Sequence, residues 1–137
     1  MPNSIQDKSI VLGITGSIAS YKAVDLASKL VQYGANVDVV MTPSATKFVT
    51  PLALSSITRR PVSHDIFTGG NGDMIRHITT AEIADLVVVT PATANIIAKL
   101  AHGLADDVVS LTVLSSRAPT IVCPAMDGHM YNNPATQ

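Results

Sequence analysis

Ser9-Ile10-Val11-Leu12-Gly13-Ile14-Thr15-Gly16-Ser17 is the stretch that decides the fold. Its apolar, β-branched run has the length and content of a strand buried on both faces, and it breaks sharply at Gly16-Ser17. The next segment has helical periodicity: Ala19, Ala23, Leu26, Ala27, Leu30 and Val31 recur at i, i+3 and i+4, and the pattern stops at Gly34, the usual glycine position just past a helix end. A second strand, Asn36 to Met41, ends at Thr42-Pro43-Ser44. Strand, tight turn, helix and strand make one βαβ unit.

Outward from that unit the alternation continues. Pro43 to Phe48 and Pro51 to Ile57 read as short helices, each with proline placed for a first turn. Arg59-Arg60-Pro61 breaks the chain, Val62 to Phe67 reads as a short strand, and Thr68-Gly69-Gly70-Asn71-Gly72-Asp73 is the most loop-like stretch and is expected to be the most mobile. A short helix at Thr80 to Ala84 precedes a strong strand, Leu86 to Thr90, whose unbroken apolar run fits burial on both faces. After Pro91-Ala92-Thr93 come a helix from Ala94 to His102 closing at Gly103, and a helix to Ser115 capped by Asp106 or Asp107. A last strand, Thr120 to Cys123, leads into Pro124-Ala125-Met126-Asp127. Strands alternating with helices predict an α/β protein with a doubly wound parallel sheet, a flavodoxin- or Rossmann-like three-layer fold formed as one domain over residues 1–137.

Composition narrows the function classes. The chain of 137 residues carries a formal charge of −1, so there is no broad basic face for nucleic acid or anionic membrane. One cysteine rules out an internal disulfide, and the opening MPNSIQDKS lacks a secretory pattern; both point to the cytoplasm. No stretch approaches the roughly 20 apolar residues of a membrane span. Charged residues are only 14% of the chain against 47% hydrophobic, where about 25% charged is usual, so part of the apolar surface is expected to meet a partner. Asn133-Pro134-Ala135-Thr136-Gln137 reads as a turn opening a helix, which gives the expectation that the sequence is a piece of something longer.

In an open parallel sheet, ligands bind beyond the carboxyl ends of the strands, where strand order reverses. That rule selects Gly16-Ser17-Ile18-Ala19, Thr42-Pro43-Ser44, Thr90 to Asn95, and Pro124 to Asp127. These segments are rich in small and hydroxyl residues, which allow close backbone approach and supply donors for a phosphate. The same residues suit plain tight turns, so spacing alone leaves both readings open. G-x-G-x-x-G and G-x-x-x-x-G-K-[ST] are both lacking, which disfavours NAD and ATP and leaves a mononucleotide such as FMN. His64, His77, His102 and His129 show no metal-ligand spacing, and no metal is expected. His77, after the glycine-rich loop and before a helix entry, is the favoured proton-transfer candidate. His102 reads as a helix C-cap, Asp127 as a turn or N-cap residue, Met130 as core filler, and Cys123 as buried and inert.

Several blocks match in order: Gly16-Ser17-Ile18-Ala19 with Tyr21-Lys22-Ala23, His77 ahead of Ala84-Asp85, Pro91-Ala92-Thr93-Ala94-Asn95 with Ala98-Lys99, Gly103 to Asp107, Pro124-Ala125-Met126 with Met130, and Asn133 to Gln137. In these the chain resembles the homo-oligomeric flavin-containing cysteine decarboxylases, and within them the coenzyme A branch acting on 4′-phosphopantothenoylcysteine. The resemblance implies FMN held at the subunit interface of a trimer, sometimes built into a dodecamer. It implies that Gly16, Ser17, Thr42 and Ser44 serve the phosphate and ribityl chain, that Pro91, Ala92, Thr93 and Asn95 line the flavin ring, that Ile18, Ala125 and Met126 also contact the cofactor, and that His77 is the active-site histidine. Asp127 and Met130 fall in its substrate motif, where the best-known members have asparagine at position 127; an ionised carboxylate there repels a substrate carboxylate unless it is protonated or otherwise engaged. The family's substrate clamp and its cysteine are expected beyond Gln137. Relatives of the same fold include peptidyl-cysteine decarboxylases, flavin prenyltransferases and non-catalytic regulatory FMN-binding proteins.

Overall fold

The computed structural model describes residues 4–67 and 71–137. Strand β1 (Ser9–Ile14) pairs in parallel with β2 (Asn36–Met41) on one side and β3 (Leu86–Ala92) on the other, and β3 pairs with β4 (Thr120–Pro124), giving the order β2-β1-β3-β4. The parallel, doubly wound α/β architecture expected from the sequence is the one observed.

Side-chain alternation along the strands builds two separate cores. Ile10, Leu12 and Ile14 of β1, with Val37, Val39 and Met41 of β2, face α1 (Ser20–Gln32) and α2 (Pro51–Thr58), packing on Ala23, Ala27 and Leu54. Val11, Val87 and Val89 point the other way, onto Ile96 of the helix Ala94–His102 and onto Val108 and Val109 of the helix Val108–Ser115. With α3 (Asn71–Ile83) preceding them in the chain, these two helices are α4 and α5. Burying each such side chain fully contributes roughly 1.5–3 kcal/mol, so two apolar layers on one sheet hold its carboxyl edge rigid for the loops that leave it. Small residues let the layers approach: a Cβ on Gly13 would stand 3.0 Å from a Val109 methyl. Helix ends follow the sequence signals. Gly34, at φ +87°, follows α1; Gly103, at φ +69°, closes α4; and Asp107 caps α5 in a capping box with Ser110.

Four local expectations are corrected. Residues 62–67 form no strand; a single bridge joins Ser63 to Val40, and the Asp65 carboxylate then accepts the Phe67 N–H at 2.8 Å, turning the backbone away. The loop expected through Asp73 and the short helix at Thr80 are instead parts of one helix, α3, while residues 68–70 lie outside the described ones. Its propensity is poor, but His77 and Ala81, four residues apart, are both buried, and α3 packs on α5; tertiary burial overrides the local glycine signal. His77 therefore sits inside a helix rather than at a helix entry. Finally, β4 is the sheet edge and is exposed except at Cys123, which is half-buried against the α1 side rather than fully buried as expected.

Candidate functional site

Strand order reverses between β1 and β3, and the loops leaving their carboxyl ends diverge there. A cleft of about 510 Å³ opens at that point, within the roughly 300–1,000 Å³ usual for small-molecule sites. Thr15 and Gly16 after β1, Thr42 to Ser44 after β2, and Thr93 to Ile96 after β3 line it, together with Lys99, Asp106, Asp107 and Met130.

The loops are tied to one another rather than hung independently. The buried Thr15 hydroxyl donates to the Pro91 carbonyl and accepts the Thr93 N–H at 3.1 Å, locking the end of β1 to the end of β3. The Thr42 N–H donates to the Ile14 carbonyl at 3.0 Å, and its hydroxyl accepts from the Ala45 N–H at 3.2 Å as the chain enters a short 3₁₀ turn (Ala45–Lys47). Gly16 abuts Ser44 so closely that a Cβ at position 16 would lie 2.5 Å from the Ser44 Cβ, so only glycine lets the first and second loops touch. Thr93 caps α4, accepting the Ile96 N–H at 3.2 Å, and sets the first turn of that helix along the cleft wall.

A charged cluster closes one side. The Lys99 ammonium lies 2.8 Å from an Asp106 oxygen and 2.8 Å from the Asp107 Oδ2, while the Asp107 Oδ1 accepts the Ser110 N–H at 2.8 Å. Hydrogen bonding to Asp106 first, then to Asp107, holds the Lys99 ammonium above its ordinary range, and the bond to Lys99 holds Asp106 below the usual carboxylate range.

Of the residues singled out from sequence, Gly16, Thr42, Ser44, Thr93, Asn95 and Met130 come together in the cleft. Met130 is 46% exposed and so is no core filler. Pro91 and Ala92 are buried just behind the wall, the first accepting from Thr15 and the second accepting the Ala125 N–H at 3.0 Å. Ser17 turns its hydroxyl to the Ala19 N–H, and Ile18 projects outward, 83% exposed. Ala125 and Met126 are half-buried between β4 and α6 (Gly128–Asn132), which Asp127 caps by accepting the Met130 N–H at 2.9 Å. His77 does not line this cleft. It is buried beside a separate cavity of about 20 Å³ with Asp38, Ser63, Thr80 and Thr112.

Thr15 as a site residue, and the joining of Lys99 with Asp106 and Asp107 into one cluster at the cleft, are not foreseen from the sequence, which marks Lys99 only within a matching block and the two aspartates as a helix cap. A hydroxyl closing an apolar strand at the switch point is the available signal for Thr15; for the cluster, Lys99 lies one helical turn past Asn95 on the same face, which spacing alone shows. Among the described residues, no three His, Cys, Asp or Glu side chains are grouped to hold a metal, and no helix is long and apolar enough to cross a membrane.

A parallel sheet wound on both faces, with a hydroxyl-rich cleft at its switch point, defines an α/β protein of flavodoxin-like architecture. More narrowly, the chain belongs to the flavoprotein family, whose model matches residues 1–137. It is 48% identical over 133 residues to the coenzyme A biosynthesis bifunctional protein CoaBC of Bacillus subtilis (strain 168), covering 97% of this chain and 33% of that protein. It is 42% identical over 132 residues to a probable phosphopantothenoylcysteine decarboxylase of Streptococcus mutans serotype c, covering 95% of this chain and 74% of that one. Among solved structures, the FMN-dependent cysteine decarboxylase TvaF from thioviridamide biosynthesis superposes with a TM-score of 0.87 at 32% identity, covering 93% of this chain and 78% of that chain. The chain thus spans about a third of the length of the bifunctional relatives it matches.

The cleft suits a flavin nucleotide. Gly16 leaves the first loop without a side chain, the hydroxyls of Thr42, Ser44 and Thr93 and the start of α4 offer donors for a phosphate and a polyol, and Ala94, Ile96 and Met130 supply apolar wall for a ring.

Proposed function

We propose that this chain binds FMN in the switch-point cleft and catalyses decarboxylation of the cysteine carboxylate of 4′-phosphopantothenoylcysteine, giving 4′-phosphopantetheine for coenzyme A synthesis in the cytoplasm. The observation that carries the reading is the cleft itself, in which Gly16, Thr42, Ser44, Thr93 and Asn95, from three loops, converge at the carboxyl edge of the sheet. The names of the relatives at 48% and 42% identity support the substrate.

The bound flavin supplies a reversible two-electron acceptor for the substrate's cysteine side chain, the chemistry that makes loss of CO₂ feasible. The protein's part is positional and acid–base. Gly16, Ser17, Thr42 and Ser44 hold the phosphate end; Thr93 and Asn95, with Pro91 and Ala92 behind them, set the ring wall, and Ile18, Ala125 and Met126 flank it. His77 handles the proton of the reacting cysteine, a task to which imidazole chemistry is suited. Since His77 is buried apart from the cleft within one chain, the reading places the complete site across a subunit boundary, in a homotrimer or a dodecamer built from trimers. Exposed Ile18, Tyr21, Phe48 and Leu52 supply apolar surface for such contacts. Asp127 and Met130 face the substrate; the Asp127 Oδ1 is engaged by the Met130 N–H, which leaves Oδ2 as the group that meets it.

Release of CO₂ from 4′-phosphopantothenoylcysteine, with a transient change in flavin absorbance, is the expected result; no release from the flavin-loaded protein overturns the substrate assignment. The likeness to TvaF favours one second reading, decarboxylation of a cysteine in a larger peptide substrate, and a C-terminal cysteine peptide assayed in parallel separates the two.

A further inference from the structure

Lys99 belongs to neither apolar core, yet its ammonium is held by two carboxylates. Its side chain is 19% exposed, and two of its three N–H donors are spent on carboxylates at 2.8 Å. Those carboxylates are not interchangeable. Asp107 is buried and bound through its other oxygen to the α5 cap, so it cannot swing away, whereas Asp106 is 70% exposed. All three residues line the cleft, and Lys99 is the cation among its lining residues. Stripped of Lys99, that wall presents two carboxylates to whatever enters.

We propose that Lys99 is an electrostatic positioning residue, pinned between Asp106 and Asp107 so that the acidic wall of the cleft accepts the phosphate ester of a flavin nucleotide, and that its loss makes the cleft discriminate against the phosphate. The inference rests on the flavin reading of the cleft. Its physical basis is charge balance across the cleft: with the ammonium, the wall carries one net negative charge; without it, two, and their repulsion of a dianionic phosphate held at Gly16, Thr42 and Ser44 of the same cleft rises, more in a partly desolvated site than in bulk water.

The test is flavin binding by fluorescence quenching, with FMN and riboflavin titrated separately into wild type, Lys99→Met, and Lys99→Met with Asp106→Asn. Lys99→Met is expected to weaken FMN by about tenfold or more while changing riboflavin by less than about threefold, with the gap narrowing at high salt. Adding Asp106→Asn, at an exposed position that leaves the α5 cap intact, is expected to recover part of the FMN affinity. Equal weakening of both flavins, or FMN affinity unchanged in Lys99→Met, overturns the proposal. Failure of wild type to bind either flavin instead overturns the reading of the cleft, so the two failures are distinguishable.

Discussion

Replacing Gly16 with alanine is the smallest perturbation that tests how the cleft is built. The added methyl would stand 2.5 Å from the Ser44 Cβ, 3.1 Å from its carbonyl carbon and 3.3 Å from its carbonyl oxygen. Carbon atoms at rest sit about 3.5–4.0 Å apart, so the first and second loops must separate by about 1 Å. No side-chain rotation relieves this, because two of the three nearest atoms are backbone and the third is a Cβ fixed to it. The Ser44 loop is in turn held to the sheet by Thr42, whose N–H donates to Ile14. Overpacking of this kind costs roughly 1–3 kcal/mol, and the separation also moves the Ser44 hydroxyl away from a ligand held by Gly16. Chemical denaturation followed by circular dichroism is expected to show that loss, and flavin titration a weaker complex. Gly128→Ala is the control: a Cβ there meets nothing within 4 Å, so stability and binding are expected to stay within about 0.5 kcal/mol of wild type. If Gly16→Ala matches Gly128→Ala in both measurements, glycine is not needed for the loops to touch.

Other consequences are accessible to the same protein. His77→Asn is expected to keep flavin binding and lose at least about 10²-fold in CO₂ release if the imidazole moves a proton, and unchanged turnover would remove it from the mechanism. Asp127→Asn preserves the side-chain oxygen that caps α6, so stability should hold and decarboxylation should be kept or rise; complete loss of activity would show that the carboxylate has its own chemical part. The Lys99–Asp106 bond sets a pH dependence at both ends. Asp106 is held below its usual 3.8, so its contribution is present above that value and is lost as pH falls through the lower folded value; Lys99 is held above 10.5, so its contribution is present below 10.5 and lost as pH rises through the higher one. The difference in thermal stability between wild type and Lys99→Met should therefore be flat from about pH 5 to about pH 9 and shrink only in strong acid or base; a midpoint near neutrality would contradict it.

Features that depend on local pattern are legible in the sequence. The apolar run from Ser9 to Thr15, broken at Gly16, is enough to place β1 and the first loop, and Asp107 and Gly103 mark their helix ends. Residues 71–83 defeat a local reading because glycine propensity argues for a loop, whereas the burial of His77 and Ala81 on a helix packed against α5 favours a helix there. The apolar Thr120 to Cys123 run suggests burial that an edge strand does not receive. In the site, hydroxyl and glycine residues after strands are legible because the carboxyl-edge rule selects them. The bond from Thr15 to Pro91, the approach of Gly16 to Ser44 and the clamp on Lys99 are not, since each joins residues that only the folded sheet brings together.

Whether the cleft between the β1 and β3 loops is an FMN site is measured most directly by titrating FMN into the purified, flavin-free protein. Saturable quenching of flavin fluorescence at one FMN per chain is the expected result, weakened by Gly16→Ala and left intact by Gly128→Ala. Fluorescence that stays at the free-flavin level throughout the titration would contradict it.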